Sequence, residues 1–494
     1  MTPLHFPWLT LLFLSPALGT AAVFLWRDFA HKIGIGATLV GLGMAVGSWV
    51  ELGSQKAVVD PLLPLLTLDP LGAPLVFCCA VTTAAVLFTM PKAHRTPELS
   101  AKFLASETVL LLTFSTVNPW FLALLFAAGA FLPWFEIRSR AFAVYMGASV
   151  LLFTLGVAAG PVRWACLPLV AAVLIRKGIL PLHSWMPSFF QSARFGTALL
   201  FVIPQVGTYC AARLILPLAP HSILEAMGIL ALLTSVYAAA LGLAQKDVRR
   251  MFGYFFMSQS AVVLAGITCD NLGGLAGGLT LWISSILSLT GFGVALRALE
   301  ARRGLLSLDV FHGGYERMPL LAAGFLVLGL ACVGIPGTLG FVAQELLVDG
   351  SVEAFPGFGF LVGIAAALNG ITILRAYGAL FCGTTTSPSQ EQLRPRERLA
   401  MMGLVAFLLA CGLWPVPLLK GNLSAASTLL QQRQGAPPQA KTISTAPERT
   451  SAPATKAFQD RASFRNTTPR TMARATLNLS TGATFDTGPN WSAR

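Results

Sequence analysis

The chain has 494 residues, 55% of them apolar and 11% charged, with a formal net charge of +13, and its mean hydropathy is +0.70. Soluble domains carry about 25% charged residues, so this composition excludes a soluble globular protein and points to an integral membrane chain. The basic balance is uneven: residues 430–494 hold nine Lys and Arg against Glu448, Asp460 and Asp486, and the chain has no basic patch interleaved with aromatics of the kind nucleic acid needs.

Hydrophobic runs near 18 residues or longer are candidate spans. Fourteen are predicted in chain order, at 4–26, 33–52, 71–90, 103–117, 118–135, 141–161, 164–190, 195–217, 222–244, 251–269, 272–297, 318–348, 357–382 and 399–419. The first run lacks a basic leader and a small-residue cleavage site, so it reads as a retained helix. The runs at 103–117 and 118–135 are separated only by Asn118-Pro119. The eight cysteines lie almost entirely within these runs, with no CxxC or Cys/His spacing. Zinc, iron–sulfur and haem attachment are therefore not expected, and no cofactor is expected on this chain.

The loops carry a strong sign bias. Counted from the first helix, odd loops hold eighteen Lys and Arg, from Arg27 to Arg398, and even loops hold only Lys56 and Arg163. Cytoplasmic loops are the basic ones, which predicts odd loops inside and the N-terminus outside, in a multi-pass protein of a bacterial inner membrane. After Leu430 the text becomes rich in Gln, Ala, Pro, Ser and Thr, and 430–494 is predicted to be a disordered basic tail. The sequons at Asn466 and Asn478 in that tail are attributed to chance.

The seventh run contains the densest chemistry, in Leu174–Arg194, LIRKGILPLHSWMPSFFQSAR. Arg176 and Lys177 are adjacent cations inside an apolar segment, followed by Pro181, His183 and Pro187. A charge at membrane depth costs at least ~2.5–3.5 kcal/mol, so a retained pair is a functional candidate. Proline frees backbone carbonyls, and such helix breaks persist in membranes where they are buried in protein or line a wet cavity. Broken helices with adjacent charge are a recurring way to build an ion site. Snorkelling of both side chains to an interface is the plainer alternative.

Three stretches, RKGILPLHSWMP at 176–187, LAQKDVRRMFGYFFMSQSAVVLAG at 243–266 and GIPGTLGFVAQELL at 334–347, occur in this order. Together they resemble the proton-conducting, antiporter-like membrane subunits of respiratory complex I and of Mrp-type antiporters. Asp69-Pro70-Leu71 is similar to that family's motif at the start of the third helix. The resemblance implies an all-α membrane fold of about fourteen helices with two inverted five-helix repeats and broken helices 7 and 12. The resulting division is 1–102 (helices 1–3), 103–217 (helices 4–8), 218–385 (helices 9–13) and 386–429 (helix 14), ahead of the tail. Pro181 and Pro187 in one broken helix and Pro336 in the other are the expected break positions.

This chain departs from the family at several titratable positions. The relay Lys of the seventh helix aligns with Arg176, and Lys177 follows it. The fifth-helix Trp-Glu aligns with Ala127-Ala128. The eighth-helix Lys aligns with Gln205, the tenth-helix His with Gln259, the eleventh-helix His with Ser285 and the twelfth-helix Glu with Gln344, followed by Glu345. Glutamine and serine hydrogen-bond but do not change charge near neutral pH. Arginine stays protonated, with a pKa above ~12, whereas lysine is the usual titratable buried cation. Glu107, Lys177, His183 and Glu345 are the ionisable groups expected near membrane depth. Beside the snorkelling alternative for Lys177, the other three have plainer readings: Glu107 at the cytoplasmic interface, His183 as a cap for a freed carbonyl, Glu345 as a helix terminus.

The resulting expectation is a proton- or cation-translocating membrane subunit of a larger complex, with ion-translocation candidates Glu107, Arg176, Lys177, His183, Gln205, Gln259 and Glu345. Lys177 is the expected switchable charge, and Arg176 a fixed field or a bridge to carbonyls freed by Pro181. Other membrane subunits, a soluble peripheral subunit and the lipid bilayer are the expected partners, and NADH and quinone would belong to partner subunits. A membrane subunit for inorganic-carbon uptake driven by a cation gradient, and a non-conducting scaffold, are the alternatives. No nucleophile triad, phosphate loop or dinucleotide fingerprint is present, so no autonomous enzyme is expected.

Overall fold

A computed structural model describes residues 2–53, 55–352, 357–383 and 393–435. The predicted tail from residue 436 onward lies outside the described residues. Helix α1 (Trp8–Leu25) and helix α2 (Ala30–Leu52) form an antiparallel pair. Beside them is a small sheet of strands β1 (Thr2–Pro3), β2 (Val58–Val59) and β3 (Thr67–Leu68), with β1–β2 parallel and β2–β3 antiparallel. The first N–H groups of a helix have no intrahelical acceptor. Helix α1 has no side-chain cap of its own. The buried Asp60 carboxylate supplies one, accepting from the Leu9 and Thr10 N–H groups at 3.0 and 2.9 Å and from the Thr10 hydroxyl at 2.7 Å. An anion at a helix N-terminus is also favoured by the helix dipole.

Helix α3 (Gly72–Phe88) leads to α4 (Pro97–Phe114) and α5 (Pro119–Ile137). Asn118 and Pro119 do separate two helices. The Asn118 side chain accepts from the N–H groups of Trp120 and Phe121, and Pro119 occupies the first helical position, where its missing N–H costs nothing. Helix α6 (Arg140–Ala158) then packs against α7 (Cys166–Lys177). Helix α7 ends at Gly178 in the left-handed conformation, φ 66°, a position that suits glycine because it has no Cβ. After a turn through Pro181, α8 (Trp185–Ser192) begins. Pro187 lies in the first turn of α8 and breaks nothing, because an N-terminal turn tolerates proline. The break is at Pro181 alone, which corrects the two-proline expectation.

The predicted span 195–217 is interrupted as well. It divides into α9 (Phe195–Val202), α10 (Val206–Cys210), a π-helical stretch Ala211–Ile215 and the single turn α11 (Leu216–Leu218). Pro204 cannot donate to the helix, and Gln205 follows it with φ 55°. Helices α12 (His221–Leu243), α13 (Val248–Ile267) and α14 (Leu272–Arg303) come next. Helix α14 has 32 residues, about 48 Å at 1.5 Å per residue, and its apolar window is fully buried. A Cβ on Gly278 would lie 2.6 Å from the Gly266 backbone of α13, so these helices touch backbone to backbone. Small residues serve membrane helix packing in this way.

Helix α15 (Pro319–Val333) and helix α16 (Leu339–Ser351) are separated by Gly334–Thr338, which contains Pro336, as expected. Helix α17 (Phe358–Phe381) follows. The segment expected as one helix at 386–429 is two: α18 (Pro395–Leu413) and α19 (Val416–Gln434), bent by 76°. Residues 430–434, assigned to the tail from composition, are the last turn and a half of α19. Arg433 fixes that end, donating to the Leu216 and Ala219 carbonyls and pairing with Asp270 at 3.0 Å.

The protein is an all-α integral membrane chain apart from the small sheet. Helix is present in each of the fourteen predicted stretches. Among the described residues, eight helical stretches are long and apolar enough to cross a membrane, counting the interrupted Phe195–Leu218 stretch as one, or nine if the bent α18–α19 pair is one span. The broken pairs α7–α8 and α15–α16 fall below that length because each half stops near the middle.

The start of α3 is tied to the π-helical stretch by a bidentate pair. Arg213 donates to both Asp69 carboxylate oxygens at 2.7 and 2.6 Å, with side-chain exposures of 9% and 16%. Removing one partner of such a pair leaves a buried charge uncompensated, at a cost of about 3–5 kcal/mol. Asp69→Asn is therefore expected to lower the melting temperature of the detergent-purified chain sharply. The double variant Asp69→Asn/Arg213→Gln is expected to recover part of the loss; equal melting for single variant and wild type would show that the pair contributes nothing.

Candidate ion-translocation site

Arg176 and Lys177 sit at the broken end of α7 and are 7% and 3% exposed. This excludes snorkelling of either side chain. Consecutive residues on a helix point about 100° apart, and the two cations accordingly enter different surroundings.

Lys177 turns toward α10. Its ammonium donates to the Gln205 side-chain oxygen at 2.9 Å and to the Thr208 hydroxyl. The left-handed backbone at Gln205 directs that side chain back across the break. Its amide nitrogen lies 3.3 Å from the Ser285 hydroxyl on α14, and Ser285 donates to the Trp282 carbonyl at 2.9 Å. Gly207 permits this approach: a Cβ there would sit 3.0 Å from the Lys177 Cγ. The ammonium is thus solvated by neutral oxygens, with no carboxylate ion pair among the described residues.

Arg176 turns toward α5 and α6. Its guanidinium lies 4.2 Å from the Phe201 ring centroid and 4.9 Å from that of Phe126, and contacts the Met146 sulfur at 3.3 Å. Rings and thioether stabilise a desolvated guanidinium through cation–π and polarisable contacts. The guanidinium bridges none of the carbonyls around Pro181, so the carbonyl-bridging role does not fit its geometry.

Two small cavities flank this pair, each of about 20 Å³, and both are lined by Arg176, Phe201 and Val206. One reaches Ser106 and Thr113 on α4, and the other reaches Lys177, Gln205 and Ser260. A buried water needs about 10–15 Å³ and several polar partners. The Ser260 hydroxyl is buried without a protein partner, as such a water site requires.

The other predicted residues divide. Gln259 is buried on α13, between Ser260 at the second cavity and Ser258, which accepts from the Asn369 amide at 2.8 Å. Glu107 is fully buried on α4, not at an interface, but it faces α2: Thr38 donates to one carboxylate oxygen at 2.8 Å and the other has no partner. His183 is half-buried between α7 and α8, its Nε2 3.4 Å from the Tyr237 hydroxyl, with no contact to Lys177. Glu345 is exposed on α16 and is not part of the cluster. Gln344, one residue earlier, lies against Gly334 in the second break. The structure therefore brings together Arg176, Lys177 and Gln205, and leaves Glu107, His183, Gln259 and Glu345 outside that contact set.

Residue-by-residue reading missed Thr208, Ser260 and the aromatic cage of Phe126 and Phe201. Thr208 had a local signal, three residues after Gln205 and so on the same helical side once Pro204 breaks the span. Ser260 and the cage rings come from other helices and left no local signal.

A broken-helix membrane core with a lysine buried at the break is the architecture of ion-translocating chains. The family profile described as NADH:quinone oxidoreductase/Mrp antiporter, TM, matches residues 123–369, half of the chain. The chain belongs to this family. NADH-quinone oxidoreductase subunit 13 of Thermus thermophilus is 30% identical over 257 residues, 51% of this chain and 55% of that protein. Subunit M of the Pseudomonas aeruginosa enzyme is 28% identical over 267 residues, 52% and 51% of the two chains. The chain thus spans about half the length of the curated relatives it matches. In three dimensions it is similar to a chain of respiratory complex I from Thermus thermophilus, with TM-score 0.78 and 24% identity, covering 86% of this chain and 100% of that one. It is also similar to a chain of the Mrp complex from Dietzia, with TM-score 0.74 and 14% identity over 86% and 99%.

The cage around Arg176 depends on a planar cation. Arg176→Lys keeps the charge but loses stacking on two rings, an effect of about 1–2 kcal/mol for desolvated cation–π contacts. The variant is expected to assemble with a lowered melting temperature; an unchanged temperature would mean that the rings only fill space.

Proposed function

We propose that this chain is a proton- or cation-translocating membrane subunit of a multi-subunit complex, with Lys177 as its switchable charge. The observation that carries this reading is the Lys177 ammonium, buried at a proline-broken helix and solvated only by Gln205 and Thr208. A group held by neutral hydrogen-bond acceptors can lose its proton without leaving an opposite charge stranded. A carboxylate partner would oppose that loss by pinning the positive form. Arg176, permanently charged, supplies a constant field one position away.

The architecture supports a two-repeat reading, α4–α11 and α12–α17, in which the fourth stretch of each set is broken, and in the first set the fifth is interrupted as well. The related chains are named as subunits of NADH-quinone oxidoreductases, and the similar structures are of complex I and an Mrp complex. By that likeness this chain works beside other membrane subunits, with a soluble peripheral subunit coupling it to a driving reaction. Redox cofactors such as NADH and quinone then reside in the partners. The loop bias supports a bacterial inner-membrane orientation with the N-terminus outside and the Lys246–Arg250 loop in the cytoplasm.

Two experiments test this reading. In liposomes holding the purified complex, Lys177→Met is expected to reduce ion flux to background while assembly persists, because volume is nearly kept and a costly buried charge is removed. Full flux in that variant rejects the role of Lys177 and favours the scaffold. Reporter fusions after Arg250 and after Asp270 are expected to give cytoplasmic and external signals respectively, and the same signal from both would overturn the orientation.

A further inference from the structure

A larger cavity, of about 330 Å³, opens at the end of α14 that carries Arg302 and Arg303. It shares no lining residue with the cavities at Arg176. Four basic side chains from four separate segments line it: His94 before α4, Arg194 between α8 and α9, Arg249 on α13 and Arg297 on α14. The carboxylate in its wall is Glu300, which is engaged by the Arg249 Nε at 2.6 Å. Arg249 also donates to the Ala193 carbonyl at 3.0 Å, so its orientation is fixed from two sides. Glu136 lies close by but outside the lining, where it accepts the Arg194 backbone N–H and the Thr197 hydroxyl, both at 2.7 Å.

Arg297 forms the floor. It is 6% exposed and, among the described residues, makes one hydrogen bond, to the Val86 carbonyl at 2.9 Å. A Cβ on Gly196 would lie 3.0 Å from its Nη1, so the glycine leaves the space that the guanidinium fills. A guanidinium presents five donors, and a buried cation with unfilled donors and no carboxylate in hydrogen-bond contact is costly; Glu300 and Glu397 act on Arg297 only from longer range. Arg194 adds a second cation at the rim, without a carboxylate partner among the described residues. The vestibule thus carries at least two fixed positive charges beyond the Arg249–Glu300 pair, in a space far larger than one water needs, and forked donors match the oxygens of tetrahedral oxyanions.

We propose that this vestibule binds a single oxyanion of the phosphate class, held between Arg297 on the floor and Arg194 at the rim. His94 supports the same picture. Partial burial and the charges of Arg297, Arg194 and Arg249, against the opposing charge of Glu300, hold its imidazole below the usual histidine range. An anion seated among those arginines raises it again.

The test uses the full chain in nanodiscs. Inorganic phosphate is titrated against protein in phosphatidylcholine discs, with the His94 titration followed by NMR. Retention of phosphatidylglycerol by the purified chain is measured in parallel. Saturable phosphate binding with an upward move of the His94 midpoint identifies an aqueous oxyanion. Retained phosphatidylglycerol without phosphate binding identifies a lipid headgroup as the source of the same chemistry. Either result is expected to be lost in Arg297→Gln and weakened severalfold in Arg194→Gln. The second variant changes only an exposed side chain and keeps the backbone bond to Glu136, so it remains informative if the first does not fold. Lys177→Met is expected to bind as the wild type does. Absence of both ligands, binding indifferent to Arg194→Gln, or a partner subunit's acidic segment filling the vestibule in the assembled complex would overturn the proposal.

Discussion

A cation taken out of water costs several kcal/mol unless other groups replace its hydration, and at Lys177 that replacement comes from an amide oxygen and a hydroxyl. Most of the site follows from this requirement. Gln205 can reach the ammonium because the chain stops being helical at Pro204 and the residue after it turns left-handed. Thr208 reaches it from one turn further along α10. Gly207 lies between them, and a Cβ there would press to 3.0 Å from the Lys177 Cγ. Proline, glutamine, glycine and threonine in five consecutive residues therefore have one explanation.

The bilayer imposes the same accounting on the backbone, since lipid offers no hydrogen bonds to freed N–H and C=O groups. At the Pro181 and Pro204 breaks a carbonyl is taken up by an indole inside the protein. Trp185 donates its indole N–H to the Ile175 carbonyl at 2.9 Å, near the end of α7. Trp282 on α14 does the same for the Pro204 carbonyl at 3.3 Å. The long α14 can perform this service because it is buried along its length and carries Thr280, Ser284, Ser285, Ser288 and Thr290, all within 2% of full burial. Thr280 accepts from Asn422 of α19 at 2.9 Å, Ser285 meets Gln205, and Thr290 pairs with Thr82 of α3 at 3.0 Å. A single hydroxyl-bearing helix thus links the terminal helix, the break and the N-terminal helices.

What could be read from the sequence divides along physical lines. Composition and run length identify a membrane chain because apolar stretches of that length have few other uses. The breaks at Pro181 and Pro336 were legible because proline acts locally. Pro187 misled because the consequence of a proline depends on where the helix begins, and α8 begins only at Trp185. The bend after Leu413 was missed because Trp414-Pro415 sits inside a continuous apolar run and has no polar boundary. Burial of Arg176 and Lys177 was legible from their distance to any polar flank. The direction of each side chain was not, since it depends on where Phe126, Met146 and Gln205 arrive from other helices. Glu107 shows the same limit: its burial was open to inference, but its partner Thr38 is 69 positions away in sequence.

The substitutions at family positions bear on how a proton could move through such a chain. An amide orients water and accepts hydrogen bonds, but passing a proton through it requires an unfavourable tautomer, whereas a hydroxyl or a water can accept one proton while releasing another. On the proposed reading, Gln205 therefore holds the ammonium and does not carry its proton. Candidate carriers are the Thr208 hydroxyl, the unpartnered Ser260 hydroxyl and water in the two cavities beside Arg176. Those cavities meet at Arg176, whose charge does not change, so a hydrated proton passing either one is repelled by it. On the proposed reading, proton release from Lys177 is directed toward whichever of the two cavities is wetted. On that same reading, a fixed cation beside a titratable one stands in for part of the chain of titratable groups that the sequence motif leads one to expect, and the direction of release depends on which cavity is hydrated.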